Sequence, residues 1–269
     1  MKVNGKVLVV TGGGAGIGRE VVLELVRRGA KVAAVDLNAD FLKETLQLAG
    51  AGNNVSTHVV NLADRKQVLA LPAEVIAKHG SVDGYINVAG IIHHFKRVNE
   101  LEFAEIERVI DVNLWGPINM AKAFIPELLK RPEAYLANVS SMGGYAPVPG
   151  QTIYGATKAG VKLLTEGLHS ELMGTNVHVT TIFPGAVGTN IAVNSGAVTA
   201  AESASMTAGA SKIKMTPAPL AGKIIVDGVE RNAYHVFVGS DAKTMDVLCR
   251  LMPERAAKII FNQMKSLLG

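Results

Sequence analysis

The sequence predicts an α/β fold in which one parallel sheet is wound on both faces by helices. Short runs of Val, Ile and Ala, bounded by turn residues, alternate along the chain with longer segments of helical period. These runs are apolar at consecutive positions, as strands covered on both faces must be. The chain has 269 residues, 48% hydrophobic and 19% charged, which is enough apolar material for a large core and too little charge for disorder. A single domain over residues 1–269 with seven parallel strands is expected.

The first strand is expected at Val7–Thr11, followed by a glycine-rich turn into a helix. In that helix Ile17, Val21, Val22, Leu25 and Val26 share one face, and Gly29 ends it. Further strands are expected at residues 32–36, 55–62, 82–88, 135–140, 177–183 and 235–239, joined by right-handed helical crossovers. Residues 192–211 are nearly all Ala, Ser, Thr, Gly and Val, so they pack weakly. The region 190–216 is therefore expected to form a mobile substrate flap at the carboxyl edge of the sheet, with an inert surface loop as the alternative. A helical tail is expected over 241–269, where Ala256, Ile260, Met264 and Leu267 recur at helical steps behind Pro253. Three roles compete for it: packing on its own subunit, covering a neighbour's active site, or lying on an anionic membrane.

Composition removes several function classes. The 27 basic and 23 acidic side chains give a net charge of +4, and the whole excess lies in residues 212–269, with 9 basic and 5 acidic. A nucleic-acid binder driven by bulk charge is excluded. No run reaches the roughly 18 consecutive apolar residues of a bilayer span, and the first residues lack the pattern of a signal peptide, so no stable membrane insertion and a cytoplasmic location are expected. One cysteine, Cys249, excludes an intrachain disulfide and a cysteine metal cluster, which fits a reducing compartment. His93 and His94 are adjacent, point apart and have no carboxylate pair beside them, so no metal site is expected. Trp115 is expected in core or subunit-contact packing.

Chemistry enters at Gly12, Gly14, Gly16, Ile17 and Gly18, where the strand-to-helix turn can aim backbone N–H groups at a pyrophosphate. The glycines read G-x-x-x-G-x-G instead of G-x-G-x-x-G, and glycines also serve turns that bind nothing. Asp36 strengthens the reading: 20 residues beyond Gly16 and at a strand end, its carboxylate can accept both hydroxyls of an adenosine ribose. The same charge repels a 2′-phosphate, which favours NAD over NADP. A helix cap is the competing role for Asp36.

Tyr154 and Lys158 are four residues apart, one turn on the same helix face. A phenol must fall by roughly 3 units to exchange protons near neutrality, about 4 kcal/mol. An ammonium at about 5 Å contributes roughly 3 kcal/mol at an effective dielectric near 20. Ser141, 13 residues before Tyr154 at a strand end, can hold a carbonyl or alkoxide oxygen, with Ser140 as the nearer competitor.

In these motifs, taken with Asn87, Ala89 and Gly90, Asn113, and Pro184 and Gly185 before Thr189, the chain resembles the short-chain dehydrogenase/reductase family over roughly residues 5–190. The resemblance implies a Rossmann fold and an NAD(P)-dependent alcohol/ketone oxidoreductase. It implies Tyr154 as general acid/base, Ser141 orienting the substrate oxygen, Lys158 lowering the tyrosine pKa and holding the nicotinamide ribose, and Asn113 anchoring a relay water. Cofactor contacts are implied at Asn61 and Leu62 for the adenine, and at Val187 and Thr189 near the nicotinamide. Asn61 stands where the family commonly has Asp, and Val88 replaces a frequent Asn. The family's glycine-rich finish is replaced by Ser240-Asp241-Ala242-Lys243, which leaves homodimer and homotetramer both open. The expected reaction is NAD-dependent hydride transfer on a secondary alcohol or ketone, hydrophobic in view of Met142, Tyr145 and Val148. A non-catalytic NAD(H) sensor and an NADPH-dependent ketoacyl reductase are the alternatives.

Overall fold

A computed structural model describes residues 1–202 and 215–268. Its centre is a seven-stranded parallel sheet of β1 (Val7–Thr11), β2 (Lys31–Asp36), β3 (Val55–Val59), β4 (Gly84–Asn87), β5 (Ala134–Val139), β6 (Val177–Pro184) and β9 (His235–Val238). The strand order is β3-β2-β1-β4-β5-β6-β9. The order reverses between β1 and β4, and the crevice of an open α/β sheet lies at the carboxyl ends of such a pair. A small ribbon pairs β7 (Val187–Gly188) with β8 (Thr216–Pro217).

Side chains alternate across the sheet and build two cores. On one face Leu8, Val10, Val32, Ala34, Tyr135 and Ala137 pack with helices α1 (Gly16–Arg27), α2 (Ala39–Ala49) and α8 (Ala218–Glu230). On the other Val7, Val9, Ala33, Val35, Ala134 and Leu136 pack with α3 (Arg65–His79), α5 (Gly116–Leu128) and the end of α6 (Thr152–Glu171). Short α4 (Phe103–Ile110) and α7 (Ile191–Asn194) flank the carboxyl edge, and α9 (Ser240–Leu251) and α10 (Pro253–Met264) form the tail.

Several boundaries differ from expectation. The third strand ends at Val59, because Val60 N makes its last bond to the Asp36 carbonyl and Asn61 then accepts from Ala63 N in a turn. The fourth spans 84–87: Asp83 N still bonds to Val7 O, but its side chain is engaged elsewhere. The edge strand β3 is not apolar on both faces, since Val59 is 57% exposed. The tail is two helices, and its stripe turns inward, with Ala256 and Ile260 buried. Trp115 is half exposed, with the Arg65 guanidinium 5.5 Å from its ring centre. Residues 203–214, the middle of the expected flap, lie outside the described residues. No helix among the described residues is long and apolar enough to cross a membrane.

The buried Asp83 carboxylate joins three elements: it accepts from Val7 N at 2.8 Å and from Arg131 Nε at 2.9 Å and Nη2 at 2.8 Å. Replacing Asp83 by Ala leaves the Val7 amide and the guanidinium without their acceptor. We expect a loss of about 2–3 kcal/mol, or roughly 4–12 °C in Tm for a chain of this size; an unchanged melting curve would show the network to be idle.

Candidate active site

At the switch point the Thr11 hydroxyl joins the ends of β1 and β4. It donates to Asn87 Oδ1 and accepts from Val88 N at 3.1 Å and Ala89 N at 3.2 Å. The chain leaves Thr11 through Gly12, at φ 66°, and enters α1 at Gly16. Gly18 is the tight position: a Cβ there would stand 2.0 Å from the Gly12 carbonyl oxygen. The α1 cap, Ala15, has no side-chain bond and the first turn holds no acid, so first-turn amides stay available for an anion.

A cavity of about 450 Å³ opens over this loop. Its walls include Gly12, Gly16, Ile17, Gly18, Asp36, Asn61, Leu62, Ala89, Gly90 and Thr189. The Asp36 carboxylate accepts from Gly14 N and Asn38 N, both at 3.0 Å. It does not cap α2; Asn38 does, accepting from Asp40 N and Phe41 N. Seven expected contacts are not in this wall. Asn87 is buried under Thr11, and Gly14 spends its amide on Asp36. Pro184 ends β6 and Val187 packs against the first core. Gly185 lies under Asp241, whose Oδ2 accepts from Ala186 N at 2.7 Å. Tyr154 and Lys158 stand on α6 beyond the loop.

Helix α6 carries two of the candidate groups, Tyr154 and Lys158. Tyr154 and Ser141 face each other across Gly143, where a Cβ would stand 3.3 Å from the Tyr154 ring and 3.5 Å from Ser141 Oγ, and Ser141 Oγ accepts from Gly143 N at 3.0 Å. Ser140 is fully committed inside, donating to the Lys158 carbonyl at 2.7 Å, so Ser141 is the serine that faces the phenol. Lys158 is buried, its ammonium 2.9 Å from the Val139 carbonyl and 5.9 Å from the Tyr154 ring centre. A Cβ on Gly90 would stand 3.0 Å from Lys158 Nζ, so the loop after β4 seats the ammonium. Asn113 lies in a π turn, Asp111–Trp115, between α4 and α5, a distortion often found at functional sites. Its side chain is filled: Oδ1 accepts from Ile91 N, while Nδ2 donates to Ile91 O and Thr157 Oγ1.

The electrostatics differ from the sequence expectation in one respect. Burial pushes the Tyr154 phenol above its ordinary value, against a smaller lowering by the Ser141 bond. Burial brings Lys158 down to about 8. In the protein alone desolvation therefore outweighs the attraction between phenolate and ammonium. Thr11 and Asp241 were not singled out from sequence. A threonine opening a glycine turn is a visible signal for the first; nothing local marks the second.

With fold and site in view, the relatives can be placed. The pattern of the short chain dehydrogenase family matches residues 6–199. SadH of Mycobacterium tuberculosis, an oxidoreductase by its name, is 37% identical over 263 residues, covering 95% of this chain and 94% of SadH. The 3-oxoacyl-[acyl-carrier-protein] reductase FabG of Thermotoga maritima is 35% identical over 190 residues, covering 70% of this chain and 77% of FabG. Among solved structures, a short chain dehydrogenase/reductase from Burkholderia phymatum in complex with NAD shares the fold, with a TM-score of 0.83 at 22% identity over 93% of this chain and 96% of that one. The chain belongs to the short chain dehydrogenase family and is an oxidoreductase of that type.

Lys158 also sets a pH dependence of stability. Its pKa is depressed on folding, so between about pH 8 and pH 10.5 the unfolded chain holds the proton that the folded chain has lost. Stability rises with pH across that window, by up to about 1.4 kcal/mol per unit for this group. Urea unfolding at pH 7.5, 9 and 10 should show that gain in the wild type relative to Lys158→Met; parallel slopes would contradict it.

Proposed function

We propose that the protein is an NAD-dependent dehydrogenase or ketone reductase acting on secondary alcohols and ketones. The observation that carries this reading is the juxtaposition of Tyr154 and Ser141 across Gly143 with the Lys158 ammonium on the next turn, beside the cavity over the glycine loop. The residues fit a dinucleotide: uncapped α1 amides for the pyrophosphate, Asp36 for the adenosine ribose, and Thr189, in the same cavity wall, for the nicotinamide amide. A bound nicotinamide supplies a hydride acceptor or donor at its C4.

In the oxidising direction Ser141 Oγ orients the alcohol oxygen and Tyr154 takes its proton, while the carbon loses hydride and the product carbonyl forms. Lys158 holds positive charge beside the phenolate and, by family resemblance, the nicotinamide ribose. The Asn113 side chain is spent on Ile91 and Thr157, so anchoring of a relay water passes to its main chain. Preference for NAD rests on Asp36 and on Arg19, whose guanidinium is already paired with Glu44 and the Gly14 carbonyl. A hydrophobic substrate fits a second cavity of about 590 Å³ lined by Tyr145, Val148, Pro149 and Phe261. The FabG relative supports a second reading, ketoacyl reduction, which Asp36 opposes in its NADPH-dependent form. A pure NAD(H) sensor would have no use for the Tyr154–Ser141 contact. Half-exposed Trp115 and exposed Phe103 and Leu163 fit a homodimer or homotetramer, and the single cysteine fits a cytoplasmic setting.

Two measurements test the reading. Tyr154→Phe should lower kcat with a secondary alcohol about 10³-fold while NADH, followed by fluorescence, binds within a few-fold of wild type. Retained turnover would remove Tyr154 from the chemistry. Asp36→Ser should shift the NADP/NAD ratio of kcat/KM upward by about tenfold or more, and a wild type that already prefers NADPH would favour the ketoacyl reading.

A further inference from the structure

Two residues joined by a hydrogen bond, Gln151 and His93, each hold a buried polar atom with no partner among the described residues. His93 is fully buried with Nε2 unpaired, and Gln151 is 5% exposed with Oε1 unpaired. What each atom offers is fixed from its other end. His93 Nδ1 lies 2.7 Å from the His94 carbonyl oxygen. A carbonyl only accepts, so Nδ1 carries the proton and the neutral ring presents a lone pair at Nε2. Gln151 Nε2 donates to the His93 carbonyl at 2.7 Å, which fixes the amide and leaves Oε1 as an acceptor. Two acceptors cannot satisfy one another.

Gln151 stands in a cavity wall, and His93 lies directly behind it, in neither cavity's lining. Gln151 precedes α6, three residues before Tyr154, hence about one helical turn or 5–6 Å away, and it lines the second cavity. His93 follows Gly90, which abuts Lys158, and its neighbour Ile92 donates to Ser195 Oγ in the wall of the first cavity. Leu268 of the tail and the Phe95 backbone both approach Gly150, the residue before Gln151. Buried acceptors without donors destabilise a fold unless something fills them.

We propose that His93 Nε2 and Gln151 Oε1 form a second polar subsite that takes a hydrogen-bond donor of the substrate, a hydroxyl about one helical turn from the oxygen at Tyr154. The substrate class is then a secondary alcohol or ketone bearing a further hydroxyl on an otherwise apolar frame. The inference rests on the reading of Tyr154 as the reacting residue, and its test separates the two.

The probes are cyclohexanol, cis-1,3- and trans-1,4-cyclohexanediol, and 3-hydroxycyclohexanecarboxylate. Turnover is measured with NAD, and binding is measured by calorimetry on the NADH-loaded protein. A site built for a substrate hydroxyl discriminates strongly against the analogue that lacks it. We expect one diol to exceed cyclohexanol by 10- to 100-fold in kcat/KM, mainly through KM, and the ratio to fall within threefold in His93→Phe and in Gln151→Met. A wild-type preference under threefold overturns the subsite whether or not the variants fold, and points to a buried water as occupant. A preference for the carboxylate overturns it too, since that group needs a donor. So does a diol preference that survives in both variants. Tenfold tighter diol binding without turnover keeps the subsite and overturns the dehydrogenase reading; turnover without preference does the reverse. Absence of both binding and turnover overturns the subsite.

Discussion

The Thr11 hydroxyl holds together the one place where the sheet must open. Strands β1 and β4 are neighbours, but their following loops leave toward opposite sides, and that divergence makes the crevice. One oxygen donating to Asn87 and accepting from Val88 and Ala89 fixes both strand ends. From that point the geometry propagates outward. Gly12 passes against Ala89, Gly90 comes down on the Lys158 ammonium, and Ile91 is gripped on both its N–H and its carbonyl by Asn113. The glycine loop and the helix that carries Tyr154 and Lys158 are thus referred to a common origin, although 143 residues separate Thr11 from Tyr154 in sequence.

Burial then decides the charge state. It raises the tyrosine and lowers the lysine, so both groups lean toward their uncharged forms in the protein alone. A fold that wanted only stability would fill these positions with apolar side chains. Retaining a phenol and an ammonium here stores electrostatic stress in the site, and any positive charge placed beside the phenol relieves it.

Most of the fold was legible in the sequence because β1, β2, β5 and β6 are covered on both faces and therefore carry continuous apolar runs. The edge strand β3 was overextended for the same reason inverted: one face meets solvent, and Val59 and Val60 continue a pattern that the backbone has already abandoned. Among the candidate residues, the positions of Asp36 and Ser141 at strand ends and of Tyr154 and Lys158 on one helix were legible because spacing alone places them on one edge or one helix face. The division of labour between Ser140 and Ser141 and the orientation of Gln151 depend on hydrogen bonds between segments distant in sequence. No local pattern encodes those bonds.

The start of the tail is wedged into the crevice. Asp241, in the first turn of α9, lies so close to Gly185 and Gly239 that a Cβ on either would stand 2.3 Å from its carboxylate. The loop after β6, the end of β9 and the start of the tail therefore form one interlocking unit rather than three independent pieces. Grafting a relative's tail onto this body, or this tail onto a relative, must carry Gly185, Gly239 and Asp241 together; the C-terminal segment is exchangeable only as a cassette that includes two residues outside it.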